Sequence, residues 1–118
     1  MDWIQYEAIL EQVDPETMVV KSLDHEDVID QQEVKKAIKA LKNTINLIEK
    51  TQFTTTEGKQ VQQHLIAFSK EVMKVYVEHK QWQSDADLEK TYLEGVMIRT
   101  ENVLSSVDNL RVLAGEQD

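Results

Sequence analysis

Val34, Ile38, Leu41, Ile45 and Ile48 recur at steps of four, three, four and three, the spacing that lines one side of an α-helix. The same rhythm returns in Val61, Leu65, Phe68, Val72 and Val75. Each stripe needs a partner to cover it, and backbone punctuation that would favour strands and turns is scarce. Of 118 residues three are Gly and one is Pro, while Leu, Lys, Glu, Gln and Ala are plentiful, a balance that favours helix. The length suits one domain around one core. The expected fold is all-α: a single domain spanning 1–118, an up-and-down antiparallel helical bundle of three long helices plus a shorter N-terminal helix, because short loops between long helices make neighbours antiparallel.

Local signals place the elements. Asp2 caps a first short helix running to about Val13, and Asp14-Pro15 ends it, since the residue before proline is pushed away from helical angles. The same pair can start a short piece over 15–23, which Val19 and Val20 weaken. The first long helix covers about 27–50, with the acids of DHEDVID at its positive dipole end. Ala37 and Ala40 widen its apolar stripe and let another helix approach closely. Residues 51–59, with four threonines and Gly58, form a turn. A second long helix runs from near Thr56 to about Gln81. Ser84 and Asp87 resemble a capping box, so the last helix covers 85 to about 114 and stops at Gly115.

Enzyme signatures are absent from this sequence. The three glycines, at 58, 95 and 115, are isolated and make no phosphate loop. Without cysteine there is neither a disulfide nor a thiolate metal site. None of His25, His64 and His79 has Glu three residues before it, as a carboxylate-bridged metal site in a bundle requires. His64 and His79 lie about 22 Å apart along a helix, too far to share an ion. Neither histidine is followed by the lysine and small residue of a phosphotransfer domain. The acidic run lacks the spacing and central glycine of a calcium loop. The expectation is a protein that is not an enzyme, with no metal and no cofactor.

Charge and apolar surplus point to a binding role. The net charge is −9, with −9 in residues 1–33, +5 in 34–83 and −5 in 84–118. Lys35, Lys36, Lys39 and Lys42 form a basic patch, but the overall charge and the lack of accompanying Arg or aromatic groups argue against nucleic acid. The start lacks a secretory signal, and no stretch approaches the roughly 20 apolar residues that span a bilayer, so the expected location is the cytoplasm, with no membrane contact.

Ile66, Met73 and Val77 fall about half a turn from Phe68. The apolar residues of the last helix spread over about 200°. Such breadth fits a central helix touching two neighbours, or a surface for another protein. Trp82 and Trp3 either cover the ends of the bundle or mark a binding surface. The leading expectation is therefore a small adaptor, assembly chaperone or inhibitor. It docks another protein, or a second copy in a homodimer, through Ile66, Met73, Val77 and Trp82 or the outer edge of the last helix. The alternative is an acidic decoy of immunity type, in which Asp24, Glu26, Asp27, Asp30 and Glu33 imitate phosphate charge towards a basic nuclease or nucleic-acid-binding protein.

Overall fold

The computed structural model of the chain describes residues 2–12, 31–78 and 85–117. Among these residues the only regular secondary structure is helix: α1 (Asp2–Gln12), α2 (Gln31–Lys50), α3 (Thr56–Val77) and α4 (Ala86–Gln117). The piece expected over 15–23, the Asp14-Pro15 break, His25, His79, Trp82 and Ser84 lie outside the described residues.

The long helices form where the four-three rhythm is clean. On α2, Val34, Leu41, Ile45 and Ile48 are buried, while Lys35, Lys36, Lys39 and Lys42 are all exposed. On α3, Val61, Leu65, Ser69, Val72, Val75 and Tyr76 are buried. The core has two parts. In one, Val34 and Leu41 from the start and middle of α2 meet Val72, Val75 and Tyr76 from the second half of α3, with Tyr92 and Val96 from the first half of α4 packed alongside. In the other, Ile48 and Phe53 meet Val61 and Leu65 at the opposite end of α3, joined by Leu110 of α4 and Ile9 of α1. The broad apolar girth of α3 is thus used in part: it packs against α2 and α4 at once.

Helix ends depart from the sequence expectations in instructive ways. Asp2 does not serve as a cap outside α1; it lies in the first turn and sends its carboxylate across to the α2–α3 turn. The N-cap of α3 is Thr55, whose Oγ1 accepts from the Gly58 N–H at 3.0 Å. The helix stops at Val77, four residues earlier than expected, with the Glu78 N–H closing on the Lys74 carbonyl at 2.9 Å. At the start of α4, Asp85 is the capping side chain. Its Oδ1 accepts from the N–H groups of Asp87 (3.0 Å) and Leu88 (3.4 Å), and a carboxylate is the stronger acceptor at a positive helix end.

Gly115 does not terminate α4, which continues to Gln117. A Cβ at Gly115 would meet nothing within 4 Å, so no close approach there demands a stop. The 32 residues of α4 reach about 48 Å at 1.5 Å per residue, matching the 50 Å long axis of the molecule. By the same rise α1, with 11 residues, covers about 16 Å. It therefore walls only part of the space beside its longer neighbours.

Candidate functional site

Where α1 meets the other three helices, the packing leaves an apolar cavity of about 380 Å³. Leu65 and Phe68 of α3 and Ile48 of α2 contribute apolar wall, and Val103 of α4 faces them. Tyr6, Ile9 and Leu10 come from α1, and Leu104 stands at α4. The other two lining residues, Thr44 of α2 and Thr100 of α4, explain why space remains. Both occupy inward positions of otherwise apolar helix faces, where Leu or Ile would reach further across. Their hydroxyls are turned away from chemistry: Thr44 Oγ1 donates to the Ala40 carbonyl at 2.9 Å, and Thr100 Oγ1 to the Val96 carbonyl at 2.8 Å. Such back-bonding along the same helix leaves the threonine methyls to complete an apolar lining.

The cavity lies next to an exposed apolar stripe. Leu93, Met97 and Leu104 share one side of α4 with Thr100 at the intervening turn. Met97 is 54% and Leu104 59% exposed, and Leu10 of α1, 49% exposed, lines the same cavity as Leu104. Apolar surface thus runs from the flank of α4 to the end of α1.

The arrangement is held at one end by a polar latch. Asp2 is 3% exposed. Its Oδ1 accepts from the Thr54 N–H at 3.0 Å and the Thr54 hydroxyl at 3.1 Å; its Oδ2 accepts from the Thr55 N–H at 2.8 Å and the Thr55 hydroxyl. Burial alone would raise the carboxyl pKa. Bonds from the Thr55 hydroxyl, the two backbone N–H groups and the Thr54 hydroxyl outweigh it and hold the pKa below the ordinary aspartate value. The carboxylate also orients the α3 cap, because a Thr55 hydroxyl that donates to Asp2 turns a lone pair to Gly58. Gly58 is required by this contact: a Cβ there would sit 2.7 Å from the Asp2 carboxyl carbon and 2.9 Å from the Phe53 ring.

Trp3 packs beside the latch against the Phe53 end of the core, its ring 5.4 Å from that of Tyr6. Burial raises the Tyr6 pKa and favours its neutral phenol. At the other end of the molecule, the Tyr92 hydroxyl donates to the Glu78 carboxylate, and Lys74 Nζ lies 5.8 Å from the Tyr92 ring centre. The hydrogen bond to Glu78, then burial, then the negative charges of Glu78 and Glu71 raise the Tyr92 pKa. These contacts join α3 to α4.

The residues singled out from sequence are dispersed. Ile66 and Met73 are half-buried and pack against the two core clusters, whereas Val77 is 59% exposed near the end of α3. Asp24, Glu26, Asp27 and Asp30 lie outside the described residues, as does Trp82, and Glu33 falls in the first turn of α2. Among the described residues no group of three or more His, Asp and Glu side chains converges as a metal site. No helix among them is long and apolar enough to cross a membrane.

Sequence reasoning missed the cavity and the latch. Thr44 and Thr100, small and polar at positions where the helical rhythm asks for bulk, were the available signal for the cavity. The latch joins residues 52 and 53 apart, which no local pattern encodes. Comparison with protein-family models, curated proteins and solved structures finds no match to this chain.

Proposed function

We propose that the chain is a non-enzymatic binding module, a small adaptor, assembly chaperone or inhibitor, that docks another protein through apolar surface left over on α4. Its supporting frame is an up-and-down antiparallel bundle, a reading favoured by core clusters that join the start of each long helix to the end of the next. The observation that carries the function is the exposed row of Leu93, Met97 and Leu104, which continues onto Leu10. A monomeric soluble protein rarely leaves a contiguous apolar patch of this kind without a use for it, and an amphipathic helix is the simplest element to lie along one. Val77 stands apart near the end of α3 and contributes a secondary contact.

The test uses a Met97→Glu, Leu104→Glu double variant. Both positions are more than half exposed, so the variant should melt within a few degrees of the parent, while two charges in an apolar contact should weaken docking by about a hundredfold or more. The parent, immobilised, should retain a partner that the variant loses, or should show a dimer in light scattering where the variant is monomeric. Retention that is identical for both proteins would reject the α4 row. Retention that collapses with salt would favour an acidic decoy instead.

A further inference from the structure

We propose that the cavity between α1 and the three long helices is a binding site for one small, uncharged, predominantly hydrocarbon molecule. The site shares Leu10 and Leu104 with the docking row, but it requires no partner protein, so it is tested through the lining residues outside that row, Thr44 and Thr100.

The chemistry of the wall selects the ligand. Among the described residues none that is ionised at neutral pH lines the cavity, and burial favours the neutral form of Tyr6. The Thr44 and Thr100 hydroxyl protons are committed to the carbonyls of Ala40 and Val96. A charged ligand would lose its hydration and find no counter-charge. The mouth at Leu10 and Leu104 is open to solvent, yet water deep inside fares little better, because it needs two to four polar partners to be held well. Such a surface is stabilised by whatever apolar atoms fill it, since unfilled walls forgo dispersion contacts.

Size narrows the class further. A dry cavity of about 150 Å³ lined by Leu, Ile and Phe takes up benzene; at about 380 Å³ this one has room for two or three fused or linked rings or a folded alkyl chain. Ligand pockets of drug-like molecules begin at about 300 Å³. The occupant is a free small molecule because all four helices contribute to the lining. With α1 as one wall, a whole partner helix cannot settle between α2 and α4 at that level.

The experiment titrates N-phenyl-1-naphthylamine, a neutral two-ring-system probe that brightens in apolar surroundings, into the purified full chain. Expected is saturable binding of one probe per chain. A Thr44→Leu, Thr100→Leu variant, which fills the space, should bind about ten-fold or more weakly. Met97→Gln, outside the lining, should bind within about two-fold of the parent. Circular dichroism establishes that the variants are folded; if the double variant is not, Thr100→Leu alone should weaken binding by about three-fold or more. Absence of saturable binding to the parent overturns the proposal. So does binding that survives the filled variants, or that disappears with Met97→Gln, because either places the probe on the outer surface.

Discussion

Replacing Asp2 with Asn removes the charge from the α1 latch while keeping its size. In the parent, both carboxylate oxygens work: the Thr54 hydroxyl donates to one, the Thr55 backbone and hydroxyl groups to the other, and the Thr54 backbone N–H is shared between the two. Asparagine offers a single oxygen and turns an NH2 towards a backbone N–H that cannot accept its protons, so the backbone contact on that side fails and the hydroxyl beside it must turn round to accept. Hydrogen bonds to an ionised group contribute about 1.5–3 kcal/mol each, and lost contacts of one network do not add. A net destabilisation of roughly 2–3 kcal/mol at neutral pH follows, which for a chain of this size lowers the melting temperature by about 6–15 °C.

The pH dependence has a fixed sign. Because the folded Asp2 pKa is depressed, the stabilising contribution is fully present above the ordinary aspartate pKa of about 3.9 and is lost as pH falls through the folded value. Thermal or urea unfolding of parent and Asp2→Asn, followed by circular dichroism across that range, isolates Asp2, since the other carboxylates cancel in the difference. The gap should be constant near neutrality and close in acid. Equal stability at pH 7 would refute the latch, and a gap that persisted undiminished in strong acid would assign it to packing rather than to charge.

Two further outcomes test the packing. Leu41→Ala, at a fully buried position shared by α2 and α3, should cost about 2–5 kcal/mol, whereas Met97→Ala on the outer row should stay within about 0.5 kcal/mol; paired urea titrations read both. Gly95→Ala should stabilise by about 0.5–1 kcal/mol through helix propensity. The new methyl would displace the carboxylate end of Glu71, a flexible group, and a fall in melting temperature would instead show that Glu71 is held in place.

Helical architecture was legible because the residues that build it speak locally. The stripes from Val34 to Ile48 and Val61 to Val75 announce their faces by spacing alone, and all of their residues are buried except Ile38 and Phe68, which are half-buried. The α2–α3 turn was legible from Thr51, Thr54 and Thr55, but it is shorter than the 51–59 expected, because Thr56 and Gly58 already belong to the first turn of α3. Boundaries were harder. Ser84 was the cap read from the sequence, and it is the geometry that shows Asp85 accepting two N–H groups. Gly115 was read as a stop, yet glycine inside a last turn costs little when nothing else ends the helix. The outer edge of the last helix was legible as surplus apolar surface, whereas Ile66 and Met73 turned out to pack against the clusters formed with α2 and α4. What the sequence could not expose was volume: a void belongs to no residue, and it arises here from two short side chains on helices 56 residues apart in the chain meeting beside a short α1.

The buried hydroxyls have a mechanical consequence. Thr44, Thr100 and Ser106 each donate to a carbonyl four residues back in their own helix, so these groups do nothing to stop one rod from sliding past another. Axial alignment in the middle of the molecule must come from the interlocking shapes of side chains such as Leu41, Val72 and Leu110, with Asp2 and the Tyr92–Glu78 contact pinning opposite extremities. Smoothing those shapes, for instance by exchanging the β-branched valines of α3 for alanine, should loosen the gearing before it melts the helices. The result would be a protein that keeps its helical content while losing its single fixed alignment.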